Sequence, residues 1–290
     1  MEKPTRRNES VVDSRTQGPA IFRRMSNQFL EVAIGTAIEG GGILLTEFGR
    51  PAEITRKGEL DFVTQADRKS EQLIVSRLQR CFPKHTILSE EGAGQDTGAR
   101  YRWIVDPLDG TTNFVHGYPY FAVSIALEDA GELLVGVIYQ PITKELFTSS
   151  AGEGAYLNER RIHVSGVTRI SASLVATGFS SLKRTPDPNI QYYWNLALQT
   201  HGVRRDGSSA LDLASIACGR FDGFWEFGLH PWDTAAGVLL VREAGGMVTN
   251  FAGQGYRPGD YEILASNGHI HAEMRDAILG VHGQQVESDS

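Results

Sequence analysis

The chain has 290 residues, 41% of them hydrophobic and 22% charged, an ordinary balance for a soluble globular protein. That length fits one large domain or two fused smaller ones. The net charge of −7 argues against a broad nucleic-acid surface, which needs a basic face.

The charge is uneven. Residues 1–24 carry six basic groups (Lys3, Arg6, Arg7, Arg15, Arg23, Arg24) and three acidic ones (Glu2, Glu9, Asp13), giving +3 and leaving −10 for the rest. This polar start reads as a flexible basic tail and lacks the apolar centre of a signal peptide. No apolar run approaches the ~20 residues of a membrane span. Cys81 and Cys218 make no disulfide framework and read as reduced core thiols of a cytoplasmic protein.

In chain order, Ser26 is placed to cap a helix with apolar positions Phe29, Leu30, Ala33, Ile34, Ala37 and Ile38. Gly40-Gly41-Gly42 then either breaks this helix, at about 1 kcal/mol per glycine, or is held in it by packing through to Phe48. Asp67 reads as the cap of a second helix that ends before Pro83. Thr86–Ser89 is a short strand leading into Glu90. Trp103-Ile104-Val105 is a buried strand that gives way to a turn. Phe121–Glu128 and Leu133–Gln140 form an antiparallel pair across the turn at residues 129–132. Glu145–Ser149 and Ala155–Leu157 extend it, with turns at Gly152–Gly154 and Asn158–Arg161. From about residue 166 helices and strands alternate: strand Leu174–Thr177, helix about 188–201, helix Ser209–Ala217, strand Phe221–Glu226, helix Pro231–Glu243, strand Glu262–Ala265 and a helix about 270–279. Pro231 suits a first helical turn, and Gly245-Gly246 a helix stop. The pattern gives sheets between helix pairs.

The chemistry concentrates in Asp106-Pro107-Leu108-Asp109-Gly110-Thr111-Thr112-Asn113-Phe114. Two carboxylates end an apolar strand, where burying them unpaired is costly and a cation removes the cost. Glu90 likewise ends a strand. Hard divalent cations take clustered carboxylate oxygens, and the backbone of Gly110-Thr111-Thr112 offers N–H donors to phosphate. Asp233 lies in the first turn of a helix, where any aspartate gains ~0.3–1 kcal/mol from the dipole. No Gly-x-Ser-x-Gly nucleophile pattern occurs. His116 and His230 flank the motifs but read as supporting residues, because magnesium prefers oxygen to imidazole. Trp232 reads as a core anchor.

Glu90-Glu91, Asp106–Phe114 running into Val115-His116-Gly117, and Pro231-Trp232-Asp233 leading to Glu243-Ala244-Gly245-Gly246 resemble the inositol monophosphatase family of magnesium-dependent, lithium-sensitive phosphatases. Lys57 and Asp61-Phe62-Val63-Thr64-Gln65-Ala66-Asp67 fit its amino-terminal motif. The likeness runs in order from about residue 26 to about residue 275. It implies an α+β fold, an α-β-α-β-α layered sandwich. The expected parts are a tail (1–24), a first half with the meander and most metal ligands (25–165), and a second half with the substrate pocket and Asp233 (166–290).

The resemblance further implies two or three Mg2+ ions. Glu90, Asp106 and the carbonyl of Leu108 would hold the first; Asp106, Asp109 and Asp233 the second; a looser third would sit near Glu90. Two ions ~3.5–4 Å apart can hold attacking water and ester oxygen in line with phosphorus. Glu90 and Thr111 would orient the water, with Asp67 anchoring the Thr111 hydroxyl. The substrate would contact Glu90, Leu108, Asp109, Gly110, Thr111 and Asp233, with the backbone at Gly110-Thr111 receiving its phosphate. Gly207, Ser208 and Ser209 would line the alcohol pocket, where many members carry alanine in place of Ser209. Glu226 would accept hydrogen bonds from substrate hydroxyls, and Lys57 would help close the site. The expected reaction is hydrolysis of a small polyol phosphate, most of all inositol 1-phosphate. Fructose 1,6-bisphosphate, histidinol phosphate and NADP are the alternatives, as is a non-catalytic regulatory role. A homodimer and lithium sensitivity follow from the family alone.

Overall fold

The structure is a computed structural model and describes residues 20–50, 54–56, 62–179 and 189–288. Five layers stack in it. Helices α1 (Ala20–Glu47) and α2 (Gln65–Cys81) form the first. Between them a small antiparallel pair, β1 (Ile54–Arg56) and β2 (Phe62–Thr64), was not apparent in the sequence. The second layer is a seven-stranded sheet in chain order: β3 (Thr86–Ser89), β4 (Tyr101–Asp109), β5 (Ala122–Asp129), β6 (Glu132–Gln140), β7 (Glu145–Ser150), β8 (Gly154–Leu157) and β9 (Arg160–Ile162). Only its β3–β4 pair is parallel. A short helix, α3 (Thr111–Val115), interrupts the chain between β4 and β5.

Helices α5 (Ser209–Ala217) and α6 (Pro231–Glu243) are the middle layer. They pack on the large sheet and on a second, five-stranded sheet. That sheet has the order β11 (Gly202–Arg204), β10 (Leu174–Thr177), β12 (Gly223–Phe227), β14 (Glu262–Ser266) and β13 (Met247–Thr249). Helices α4 (Asn189–Gln199) and α7 (His271–Ser288) close the stack. The expected α+β layered sandwich is therefore the observed fold. β5 is buried along nearly its whole length because α1 covers one face and α6 the other. Strands covered on both sides read as continuous apolar runs rather than alternating ones.

The glycine triplet stays helical, and packing is the reason. A Cβ on Gly40 would meet Ile74 Cδ1 at 3.1 Å and Ser70 Oγ at 3.2 Å, and one on Gly41 would meet the Tyr139 ring at 2.6 Å. The two glycines let α1 approach α2 and β6 closely, which offsets their entropic cost. The cluster beneath α1 and α2 includes Phe29, Ile74, Trp103 and Phe121, all buried.

Several sequence expectations change. α1 begins at Ala20, so Ser26 lies inside it and residues 20–24 open this helix; residues 1–19 lie outside the described residues. Asn27–Glu47 is in fact long and apolar enough for a membrane span by length and composition, with a mean hydropathy of 1.4. Its isoleucines, leucines and alanines raise that figure, while Phe29, Ala33, Ala37 and Leu44 are buried against the rest of the fold. Thr64, not Asp67, caps α2; Asp67 is the third residue of a reciprocal capping box. The expected turn at Asn158–Arg161 tightens to Asn158 and Glu159, both at positive φ, and a strand comes next. Cys81 is exposed and Cys218 half-buried, so neither is a core thiol, and both are free. Lys57 lies outside the described residues.

Candidate active site

The two carboxylates of β4 reach one place because the strand is irregular. In a regular strand, residues three apart point to opposite faces. Here Asp106 pairs with Ser124 and Asp109 with Ala122, so two residues of β4 face one of β5. Such a bulge adds a residue and re-aims the side chains beyond it. Since Ser124 and Ala122 share a face, Asp106 and Asp109 do too. Pro107, which lacks a ladder donor, sits in the bulge.

Asp233 enters from the first turn of α6, across the sheet. A carboxylate oxygen of each of Asp106, Asp109 and Asp233 lies within 4.8 Å of those of the other two. Each group has one oxygen already tied. Asp106 Oδ1 accepts the Leu108 N–H at 3.0 Å, and Asp233 Oδ2 accepts the His230 N–H at 2.7 Å. Asp109 Oδ2 accepts the Ala210 N–H at 3.0 Å and the Ser208 hydroxyl. Among the described residues no lysine or arginine pairs with any of the three.

Among the described residues, therefore, no cation compensates this charge. Burial, reinforced by Glu90, Asp109 and Asp233, holds the Asp106 carboxyl well above the usual range. Burial, with Asp109 and Glu90, does the same to Asp233. Burial pushes Asp109 up to about 6, against the hydrogen bonds that favour its ionised form. Three converging hard oxygen donors, each with one oxygen fixed, suit a divalent cation of the magnesium or calcium type.

Glu90 stands outside this group of three but close enough to raise two of its members. It comes directly after β3, and its N–H donates to the Val105 carbonyl at 3.2 Å, next to Asp106. Asp67 is fully buried. One of its oxygens accepts from Thr64, at 2.8 Å from N–H and 2.5 Å from the hydroxyl; the other lies 3.2 Å from the Thr111 hydroxyl. The Leu108 carbonyl is also 3.0 Å from that hydroxyl. Gly110 turns the chain at φ 91°, where a Cβ would meet the Tyr120 carbonyl at 3.0 Å.

The second half contributes the start of α5. Ser208 caps that helix, accepting the Leu211 N–H at 3.3 Å while donating to Asp109. Ser209, the next residue, donates to Glu226 Oε2 at 3.3 Å. Ser208 thus contacts the carboxylate group directly, and Ser209 and Glu226 adjoin it.

Asn113, Tyr120, Asp206 and Asp212, to which the sequence assigns no role, also belong here. Asn113 Nδ2 donates to the carbonyls of Tyr120 and Asp206, each at 2.7 Å. The Tyr120 hydroxyl lies 3.5 Å from buried Asp212. Burial, then Asp206, Glu226 and Asp109, hold Asp212 well above the usual carboxylate range. Its sequence signals were its place in the Arg205–Leu213 segment, which resembles the family's pocket-lining stretch, and its spacing of three residues from Ser209 on one helix face.

Other motif residues serve the frame. His230 stacks on Trp232 at 4.7 Å, and Trp232, only partly buried, packs against the middle-layer core. Glu243 accepts the N–H groups of Gly152 and Gly154, each at 2.8 Å, and so clamps the β7–β8 turn. His116 lies at the end of α3 on the surface.

Comparison with known proteins bears out the fold and the family resemblance. The model of the Inositol monophosphatase family matches residues 25–282. A Pseudomonas aeruginosa protein named Nus factor SuhB is 45% identical over 252 residues, covering 84% of this chain and 90% of its own. An inositol-1-monophosphatase of Mesorhizobium japonicum is 44% identical over 253 residues, covering 86% and 95%. Among solved structures, an inositol monophosphatase from Anabaena superposes with a TM-score of 0.80 at 43% identity, covering 88% of this chain and 96% of that one.

Proposed function

Because the chain belongs to the inositol monophosphatase family, we propose that it hydrolyses the phosphate monoester of a small polyol, with inositol 1-phosphate as the substrate and Mg2+ as cofactor. The observation that carries this is the trio Asp106, Asp109 and Asp233, whose oxygens converge within 4.8 Å with no protein cation among the described residues to neutralise them.

In this reading Glu90, Asp106, Asp109, Asp233 and the Leu108 carbonyl hold two or three ions. Bound magnesium supplies Lewis acidity toward the phosphoryl and leaving oxygens. The protein does the rest. Asp67 fixes the Thr111 hydroxyl; that hydroxyl accepts a hydrogen bond from a water and so orients it, and the Glu90 carboxylate takes the water's proton. The N–H groups opening α3 at Gly110-Thr111 receive the phosphate oxygens. Gly207, Ser208 and Ser209 shape the alcohol side, and Glu226 accepts hydroxyl hydrogen bonds from the polyol. That last contact separates polyol esters from simple ones, since a substrate lacking the hydroxyl forfeits a hydrogen bond there. The same reading carries a homodimer, lithium inhibition and a cytoplasmic location.

The test is phosphate release from a panel of inositol 1-phosphate, fructose 1,6-bisphosphate, histidinol phosphate and NADP, with and without Mg2+. Inositol 1-phosphate should turn over fastest, and chelation should abolish turnover. A slower rate on it than on all the others rejects the substrate. Asp106→Asn should cost at least about a hundredfold in kcat; near-normal turnover rejects the ligand role.

A further inference from the structure

Asn113 does not reach the carboxylate group, yet it joins the chain segments that shape it. Its amide nitrogen lies 2.7 Å from the Tyr120 carbonyl and 2.7 Å from the Asp206 carbonyl. A primary amide carries two N–H donors, so both carbonyls are satisfied at once. Tyr120 leads into β5 in the large-sheet half. Asp206 leads into α5 in the other half.

The backbones here are in close contact. A Cβ on Gly110 would stand 3.0 Å from the Tyr120 carbonyl and 3.3 Å from that of Gly207. A Cβ on Gly207, whose φ is +83°, would stand 3.1 Å from the Asn113 amide. Aspartate at 113 would be isosteric but would turn a carboxylate toward two carbonyl oxygens.

The residues immediately after Gly207 make the contact with the site. Ser208 and Ala210 both donate to Asp109 Oδ2. The α5 start can hold Asp109 only if the Asp206–Gly207 segment is seated, and Asn113 seats it. We propose that Asn113 is a positioning residue for cation binding: it couples the two halves by setting where α5 grips Asp109. The proposal rests on the metal reading above.

The test uses the full chain and Mn2+ as a paramagnetic probe, with free Mn2+ read by electron paramagnetic resonance, so no turnover is needed. Asn113→Ala should weaken Mn2+ binding about tenfold, the lower end of what groups orienting metal ligands contribute. Ser208→Ala should weaken it comparably. The double variant should bind no more weakly than the weaker single, since both act through one contact chain.

Thermal melting in chelator is read in parallel. Lower melting with wild-type Mn2+ affinity in Asn113→Ala means a purely structural role and overturns the proposal, as does full additivity in the double variant. If the alanine variant fails to fold, Asn113→Ser, which retains one donor, takes its place; wild-type affinity there overturns the proposal equally. Failure of the wild-type chain to bind Mn2+ would instead reject the metal reading itself.

Discussion

At the residue scale, Asp67 shows how one side chain serves folding and chemistry together. One oxygen completes the capping box of α2 and the other orients Thr111. An asparagine offers only one accepting oxygen, so Asp67→Asn must abandon one of these contacts or turn its NH2 toward a donor. We expect Asp67→Asn to lower kcat by about 10- to 100-fold. Thr64→Ala, which removes the cap hydroxyl but leaves the Thr64 N–H on Asp67 Oδ2 and the other oxygen on Thr111, should lower stability by about 1 kcal/mol with a far smaller effect on kcat. Equal losses of activity in the two variants would show that Thr111 does not depend on Asp67. The Asp67–Thr111 contact spans 44 positions, and only the resemblance suggested it. The acid pair of β4 was legible as chemistry, but not the bulge that aligns it, because a bulge is defined against its partner strand. Asn113 stood in full view inside the motif. Its meaning was hidden, since the acceptor at Asp206 lies 93 positions away.

At the element scale, helices with their own stop and start signals were readable. Ser209–Ala217 and Pro231–Glu243 have their expected bounds, and Pro231 opens the second as its fixed φ favours. The short strands β1, β2, β11 and β13 were not readable. Three residues carry too little period to register, and partners elsewhere in the chain make them strands. Local propensity left two outcomes open for the glycine triplet in α1, and tertiary contact decides between them. This gives a contrast of sign within two adjacent positions. Gly41→Ala would drive a Cβ to 2.6 Å from the Tyr139 ring, an overpacking that should cost about 1–3 kcal/mol and exceed the gain in helix propensity. Gly42 has nothing within 4 Å of its Cβ position, so Gly42→Ala should stabilise by up to about 1 kcal/mol. Urea unfolding of both variants decides it. If both destabilise, close approach is not the reason the triplet persists.

At the scale of the whole molecule, the five layers bring carboxylates from both halves into one seam, and this ties stability to pH and cation together. In cation-free protein, burial holds Asp106, Asp233 and Asp212 above their usual range and Asp109 at about 6. The native state then binds protons that the unfolded chain releases. For Asp109 that contribution is complete below the ordinary value of 3.8 and is lost as pH rises through about 6. A divalent cation needs the same groups ionised, so protons and cation compete for the seam. His271 works in the opposite sense. Burial, then Arg275, lowers it to about 4, so stability is lost as pH falls from 6.5 through that value. Its two ring nitrogens face the hydroxyls of Thr249 and Ser266, each at 2.9 Å, far from the seam's ligands in sequence. That contribution is common to cation-bound and cation-free protein, and it cancels in their difference. The difference in Tm between saturating Mg2+ and chelator should therefore widen steadily from about pH 5 to pH 8, as ionised ligands become the resting state. At a hundredfold excess over Kd the cation contributes about 2.7 kcal/mol, a shift of several degrees for a chain of this size at about 2–4 °C per kcal/mol. A gap that stays constant across this range would mean that protons and cation do not compete for the seam carboxylates.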